Sequence, residues 1–468
     1  MRKEGADRMK KFNLRVPVRA SIWYAGTSFI AKAVGFLVTP FFTRMISGEK
    51  YGELTLYLTL VGIGSTSCSA VNTGSAIFKG IKKHESEKGS FLKSALFVSL
   101  SFSAVICTVL FAFSPFFNIK RHLFIPLTLQ IMCDSIVAVA LSSAKFSYQY
   151  KQVALISILS SVLPAIITLS ILRIVNGRFR VRVYALLVIS LCLAAWELIK
   201  IFQYPGRIKR KVSVDFFKSA LPLIPHSISS ALSGQADKMI ITYLMGSYAL
   251  AKYSVTHSLG VALQFIVGAI GFALGPWIIR KLDSNMQEKI NNLVELLFYG
   301  ISALCLCLIA LAPEAMKILA PPEYLEAFPA LLPIVITTPL SLVCSVITIC
   351  LVHFGQGKAT TAMALVGAGV NLLLNFTLIP KLGYLGAGLA TLLSALSSML
   401  IGLYVLTKAR LLNLISPRRI LGRLLYTAII SIVLLILFEA PSLRILVLII
   451  PAIILLNVFY NAKSLIVE

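Results

Sequence analysis

Charge is scarce in this sequence, and acidic charge is scarcest: of 468 residues, 18 are Asp or Glu and five are His. Charged residues make up 13% of the chain, where a soluble domain carries about 25%, and hydrophobic residues make up 58%. That excludes a soluble globular protein and leaves a polytopic membrane protein. Metal and disulfide patterns are missing too. The eight cysteines, at 68, 107, 133, 192, 305, 307, 344 and 350, all lie in apolar runs with no CxxC pair and no His cluster, so they read as small buried residues. No cofactor is expected. Phe354 to Thr360, FGQGKAT, lacks the first glycine and the Ser/Thr of a nucleotide-binding loop. No connection between apolar runs has room for a folded soluble domain. That weighs against a membrane polysaccharide polymerase or ligase, which needs a sizeable outer loop for its active site.

What is present is apolar and basic. Windows of about 19 residues give fourteen expected spans. They run at 20–43, 53–78, 92–114, 123–145, 153–172, 183–203, 219–245, 250–279, 291–312, 327–353, 360–379, 385–407, 424–439 and 444–461. The net charge of +26 does not point to nucleic acid, because the Lys and Arg residues sit in short loops between apolar runs. With the N-terminus inside, the cytoplasmic connections hold 30 of the 44 Lys and Arg residues, which predicts both termini in the cytoplasm. The N-terminal stretch reads as a cytoplasmic tail, since the first span is too long for a signal-peptide core. Arg173, Arg178, Arg180 and Arg182 fall on the wrong side of this scheme. Either they bind an anionic group outside or a boundary is misplaced.

The expected architecture is all-α. Residues 1–19 form the tail, 20–203 an N-terminal six-helix lobe, and 204–218 a basic linker that either attracts anionic lipid or serves only as a topology anchor. Residues 219–407 form a second lobe, 408–423 a basic loop, 424–461 two further helices, and 462–468 a final tail. Laying Thr43 on Thr242 brings TRMISGEKYGELTLY over TYLMGSYALAKYSVT, a weak internal repeat of two parallel lobes.

The stretch from Ser219 to Gly260 organises this reading. It is a span entered through Pro222 and Pro225, and it carries Asp237 and Lys238. An ionised side chain at such a depth costs roughly 2.5 to 3.5 kcal/mol unless it faces protein, water or a partner charge. Neighbours on a helix lie about 100° apart, so Asp237 and Lys238 face different ways. Lys32 is the matching lone cation of the first span. Lys32 and Lys238 together suggest a positive patch suited to a phosphate-bearing substrate. Asp134, Glu197 and His257 are the further interior candidates, and with Asp237 they are the candidates for coupling to an ion. Asn72, Asn371 and Asn375 add neutral polar groups, while Arg44 and Glu197 sit near helix ends, where snorkelling to water is the default. Gly271 with Gly275, and Gly367 with Gly369, read as close-packing positions.

The run GAGVNLLLNFTLIPKLGYLGAGLATLLS, Gly367 to Ser394, is the strongest signature. It resembles the C-terminal-lobe motif of bacterial oligosaccharide-lipid flippases, the polysaccharide-transporter branch of the multidrug/oligosaccharidyl-lipid/polysaccharide superfamily. Asn371, Asn375, Ile379, Pro380, Gly383, Gly386, Ala387 and Thr391 match that pattern, and PFFTRMISGEKYGE, ADKMIITYLMGSYALAKYSV and PPEYLEAFPALLPI match elsewhere.

The resemblance implies a V-shaped pair of six-helix lobes with two extra helices. It implies transport of undecaprenyl-pyrophosphate-linked oligosaccharide from the cytoplasmic to the outer leaflet of the bacterial inner membrane, by alternating access through a hydrated cationic cavity. Such a protein works beside membrane lipid, a polysaccharide polymerase and a chain-length regulator. Arg44, Asn72, Asp237, Lys238, Lys32, Asn371 and Asn375 become cavity candidates. Two negative charges leaving a negative interior gain roughly 4 to 5 kcal/mol at 100 mV, and lysines travelling with them would shrink that gain. A multidrug exporter of the same superfamily is the second reading; interior lysines weigh against its cationic substrates.

Overall fold

The computed structural model describes residues 15–72, 74–117, 121–172, 174, 179–284, 286–409, 417–437, 440–447, 449, 451–454 and 456. Among these residues there is no β-strand. Long apolar runs are forced into helices because a backbone N–H or C=O left unpaired in hydrocarbon costs several kcal/mol. Helix α1 is Arg15–Met45, α2 Gly48–Asn72, α3 Gly74–Lys83, α4 Lys88–Phe113, α5 Arg121–Phe146, α6 Tyr150–Leu172, α7 Arg180–Gln203 and α8 Arg210–Ala220. Then come α9 Ile224–Gly260, α10 Gln264–Asp283, α11 Gln287–Leu319, α12 Leu331–His353, α13 Gly357–Leu382, α14 Tyr384–Lys408, α15 Pro417–Ile436 and α16 Pro441–Val447.

The expected count of fourteen spans is not reproduced. Eleven helices among the described residues are long and apolar enough to cross a membrane, or twelve when the bent pair formed by 210–260 and 264–271 is one span. The seventh expected span and the first part of the eighth lie in α9 as two helical segments separated by a one-residue break, and the rest of the eighth lies in α10. That break is Gly246, with φ 85° and ψ 174°, a conformation open to glycine and strained for side chains with a Cβ. It falls where the sequence places the turn between those two spans. The fourteenth, 444–461, lies partly outside the described residues.

The chain forms two compact units. The first holds residues 1–38 and 64–227, the second residues 39–63 and 228–468. In the first, Ala70, Val71, Ile77, Phe91, Leu92, Val139 and Phe216 meet in one apolar core built from α2, α3, α4, α5 and α8. Lys93, buried beside it, donates to the carbonyls of Tyr204 and Gly206 at 2.9 Å each, tying α4 to the segment after α7. In the second unit Ile290, Phe298, Leu340, Val343, Leu403 and Leu424 join α11, α12, α14 and α15.

Residues 39–63 group with the second unit, and the local contacts give the reason. Thr43 Oγ1 donates to the Leu319 carbonyl at 2.8 Å, and Arg44 donates to the carbonyls of Ile318 and Lys317 at 2.8 and 3.0 Å. These are the orphan acceptors of the α11 C-terminus, which carries the negative end of a helix dipole. A Cβ on Gly52 would collide with the Ser247 carbonyl, and one on Gly48 with the Tyr248 ring. The two stretches aligned as an internal repeat thus pack against each other through their turns.

Arg residues of the last helices also find acids. Glu295 accepts from Arg423 at 2.7 Å and from Arg419 at 3.3 Å, and Arg423 lies 3.9 Å over the Tyr299 ring. Arg444 pairs with Glu314 at 2.6 Å. Both acids belong to α11, so α15 and α16 are fastened to one helix.

Candidate functional site

In the second unit the polar centre lies on α9. Asp237 is 3% exposed and Tyr253, sixteen residues on, is 0% exposed. Tyr253 Oη donates a short hydrogen bond to Asp237 Oδ2 across the Gly246 break. His257, one helical turn beyond Tyr253, brings Nε2 to 3.7 Å from the same oxygen, and its ring centroid lies 5.7 Å from that of Tyr253. Asp237 Oδ1 is buried without a hydrogen-bond partner among the described residues. Lys238 turns away, as adjacent helical residues must, and donates to Gln235 Oε1 at 3.0 Å. The interior acid and interior base of this span therefore do not neutralise each other by direct contact.

The signature run folds as a helical hairpin, α13 and α14 joined at Gly383, whose φ is 57°. Asn371 and Asn375 stand one turn apart and buried, with Asn375 Nδ2 donating to the Asn371 side-chain oxygen at 3.0 Å and to its carbonyl at 2.9 Å. Asn371 Nδ2 and Asn375 Oδ1 have no partner among the described residues. Leu372, Leu373 and Phe376 of the same helix are exposed. This is the amphipathicity of a lipid-facing helix, with polar groups inward where they find partners and apolar groups outward where hydrocarbon receives them. A Cβ at Gly386 would strike the Leu378 carbonyl and one at Gly367 the Ser398 hydroxyl, so both are packing positions. Gly271, Gly275 and Gly369 have nothing within 4 Å, which corrects their reading as close-packing sites.

In the first unit Asp134 accepts from Ser65 Oγ at 2.8 Å and from Gln130 Nε2 at 3.0 Å, and Gln130 also donates to Ser190 at 2.6 Å. Glu197 is a separate feature. It is buried rather than snorkelling, and it accepts from Gln152 at 3.0 and 3.2 Å and from Lys200 at 3.1 Å. Asn72 is buried, and its carbonyl accepts from Ser142 at 2.7 Å. Lys32 lies on the α1 backbone, with its side chain outside the described residues. Arg173 and Arg178 also lie outside them, while Arg180 is exposed at the start of α7 and Arg182 is half-buried. All eight cysteines are free thiols, and Cys192 is exposed rather than buried. No group of three or more His, Cys, Asp and Glu side chains is gathered as a metal site would require, among the described residues.

With this geometry in place, comparison with known proteins is decisive for the family. The profile described as "Polysaccharide biosynthesis protein" matches residues 18–281, more than half of the chain. The chain belongs to the polysaccharide biosynthesis protein family. Two uncharacterised membrane proteins of Methanocaldococcus jannaschii are similar to it. One is 24% identical over 216 residues, covering 46% of this chain and 51% of the relative. The other is 26% identical over 193 residues, covering 39% of this chain and 37% of the relative. The matched region thus spans about half the length of the first of these curated relatives.

Among solved structures, the fold is similar to that of the lipid II flippase MurJ in an inward closed conformation. The TM-score is 0.72 at 14% identity, covering 95% of this chain and all of that one. It is also similar to an inward-facing multidrug resistance MATE transporter of the MOP superfamily, with TM-score 0.57 at 13% identity over 81% of this chain and 95% of that one. The fold of this family member is therefore similar to the fold of these solved proteins, and the protein is a multi-pass membrane protein.

Tyr253 escaped the sequence reading. The available signal is that a hydroxyl-bearing aromatic sits mid-span, where only a polar partner makes it tolerable. Gln152 and Lys200 escaped it as well, since nothing in their local sequence ties them to Glu197.

Proposed function

We propose that this protein is a flippase for undecaprenyl-pyrophosphate-linked oligosaccharide. It carries the saccharide from the cytoplasmic to the outer leaflet of the bacterial inner membrane for cell-surface polysaccharide synthesis. Membership of the polysaccharide biosynthesis family is the observation that carries the reading, because it supplies the class of cargo that the fold alone leaves open. Both termini are cytoplasmic in this reading, and the interior lysines Lys32 and Lys238 hold the pyrophosphate. A polysaccharide polymerase and a chain-length regulator act downstream on the same product. Transport runs by alternating access, and Asp237 couples it to a cation, with His257 as its neighbour and Asp134 as the second candidate. Glu197, already occupied by Lys200 and Gln152, is left out of coupling.

The likeness to MATE transporters supports a second reading, export of amphipathic cations. One experiment separates the two. Purified wild type, Lys32→Ala and Lys238→Ala are reconstituted in proteoliposomes with a labelled undecaprenyl-pyrophosphate saccharide. Flipping by wild type and its loss in correctly folded variants supports the flippase. Transport of a cationic dye without any flipping assigns the protein to the exporters.

A further inference from the structure

A second polar constellation lies in the first unit. A cavity of about 390 Å³ is lined by Lys88, Ser147, Gln149, Gln152, Glu197 and Lys200, with Leu92, Ala140 and Ile201 completing its wall. Its charged groups are two cations and one anion, a net of +1, which matches one phosphodiester. Lys88 is half-buried and meets neutral groups, Ser147 Oγ at 3.5 Å and the Tyr204 ring at 5.6 Å from its centroid. Glu197 accepts from Gln152 and Lys200 and, with four lone-pair sites, retains capacity for a further donor such as a hydroxyl.

The surroundings say which source that chemistry has. Tyr184, Val188, Leu191, Ile199 and Phe202 are exposed at helical spacing down one face of α7, the arrangement of a surface that meets hydrocarbon. Trp196 stands at the edge of that face, and Lys200 Nζ lies 4.4 Å over its ring. Tryptophan and lysine together mark a membrane–water boundary, with the indole at headgroup depth. Lys200 thus borders the lipid-facing stripe on one side and the cavity on the other.

We propose that this cavity binds the headgroup of a monoanionic, hydroxyl-bearing phospholipid of the phosphatidylglycerol type. Lys88 and Lys200 take the phosphate, Glu197 and Gln152 take the headgroup hydroxyls, and the acyl chains lie along the exposed face of α7.

The test is lipid retention by native mass spectrometry of the delipidated full-length protein, titrated with phosphatidylglycerol, phosphatidylcholine and phosphatidylmethanol. The last has the same charge and no headgroup hydroxyl. Wild type retains phosphatidylglycerol over both others. Lys88→Gln and Lys200→Gln each lower that retention about tenfold, the loss of one charge-assisted hydrogen bond. Glu197→Gln narrows the preference over phosphatidylmethanol, and the double variant Lys211→Gln/Lys218→Gln, which removes exposed cations of the basic linker, behaves as wild type. Monodisperse elution and an unchanged melting temperature in phosphatidylcholine identify the variants fit for comparison, and Lys88→Gln, at a half-exposed position, is the one least exposed to misfolding. Unchanged retention in Lys88→Gln overturns the proposal, as does an equal loss in the linker variant. Displacement of phosphatidylglycerol by an equal concentration of soluble glycerophosphoglycerol overturns the lipid assignment in favour of a free phosphate ligand.

Discussion

Tyr253→Phe and Asp237→Asn form a pair that separates holding the α9 site together from using its charge. Tyr253 is fully buried and its hydroxyl donates to an almost fully buried carboxylate. Removing that hydroxyl leaves Asp237 Oδ2 without its short-range donor while Oδ1 already lacks one. A hydrogen bond to a charged group contributes about 1.5 to 3 kcal/mol, and the ring remains to fill its space, so Tyr253→Phe is expected to lose about 2 kcal/mol of stability. Asp237→Asn keeps an oxygen for the tyrosine to donate to, forfeiting the charge-assisted part of the bond, about 1 kcal/mol. On transport the order reverses. The asparagine removes the charge that a coupled cation would balance, whereas the phenylalanine leaves it in place. Thermal unfolding in detergent reads the first quantity, and saccharide flipping in proteoliposomes under imposed proton or sodium gradients reads the second. The expected pattern is a less stable but still gradient-driven Tyr253→Phe and a nearly wild-type-stable but gradient-insensitive Asp237→Asn. An Asp237→Asn protein that still responds to the gradient as wild type does refutes the coupling role.

Other consequences follow from the packing. Glu295→Ala strands Arg423, whose side chain is 16% exposed, and is expected to lose about 3 to 5 kcal/mol, whereas Arg419→Gln, at a side chain 62% exposed, loses under about 1 kcal/mol; melting temperatures in detergent rank them. Gly386→Ala drives a methyl group into the Leu378 carbonyl and neighbouring backbone, which cannot swing aside, and is expected to cost about 1 to 3 kcal/mol in the same measurement. Gly246→Ala meets no neighbour but must hold φ near 85°, so about 1 to 3 kcal/mol of backbone strain is expected without any packing defect; Gly369→Ala, in open space on a regular helix, serves as the neutral comparison.

Helices were legible because membrane burial makes the local signal sufficient: a run of apolar residues must be helical wherever it lies, whatever it packs against. The signature from Gly367 to Ser394 was legible for the same reason, since its glycine turn and inward polar residues are close in sequence. Contacts over long separations were not. Nothing near Arg44 says that it serves the carbonyls of α11, more than 270 residues on, and that pairing helps to place residues 39–63 with the second unit. Gly271 and Gly275 show the converse error, a local pattern of small residues with nothing within 4 Å of either position among the described residues.

The acids make the clearest case for what a composition can and cannot reveal. With 18 acidic residues against 44 basic ones, most cations are explained by topology and need no partner. An acid has no such excuse in a membrane protein, so each one placed within or at the end of a span demands a local reason. Asp134, Glu197 and Asp237 were singled out on that ground, and each is held by specific donors: Ser65 and Gln130, Gln152 and Lys200, and Tyr253. Glu295 and Glu314 satisfy the same criterion from the two ends of α11, and their arginine partners lie in α15 and α16. The sequence therefore identifies which acids must be paired, but the choice among many available bases depends on helix packing. The donors then divide the roles. Arginine pairs, bidentate and planar, suit permanent attachment of the last helices. Asp237 is instead held by a tyrosine hydroxyl with a histidine beside it and is not paired with an arginine among the described residues, and that makes it, rather than Glu295, the residue to test for coupling.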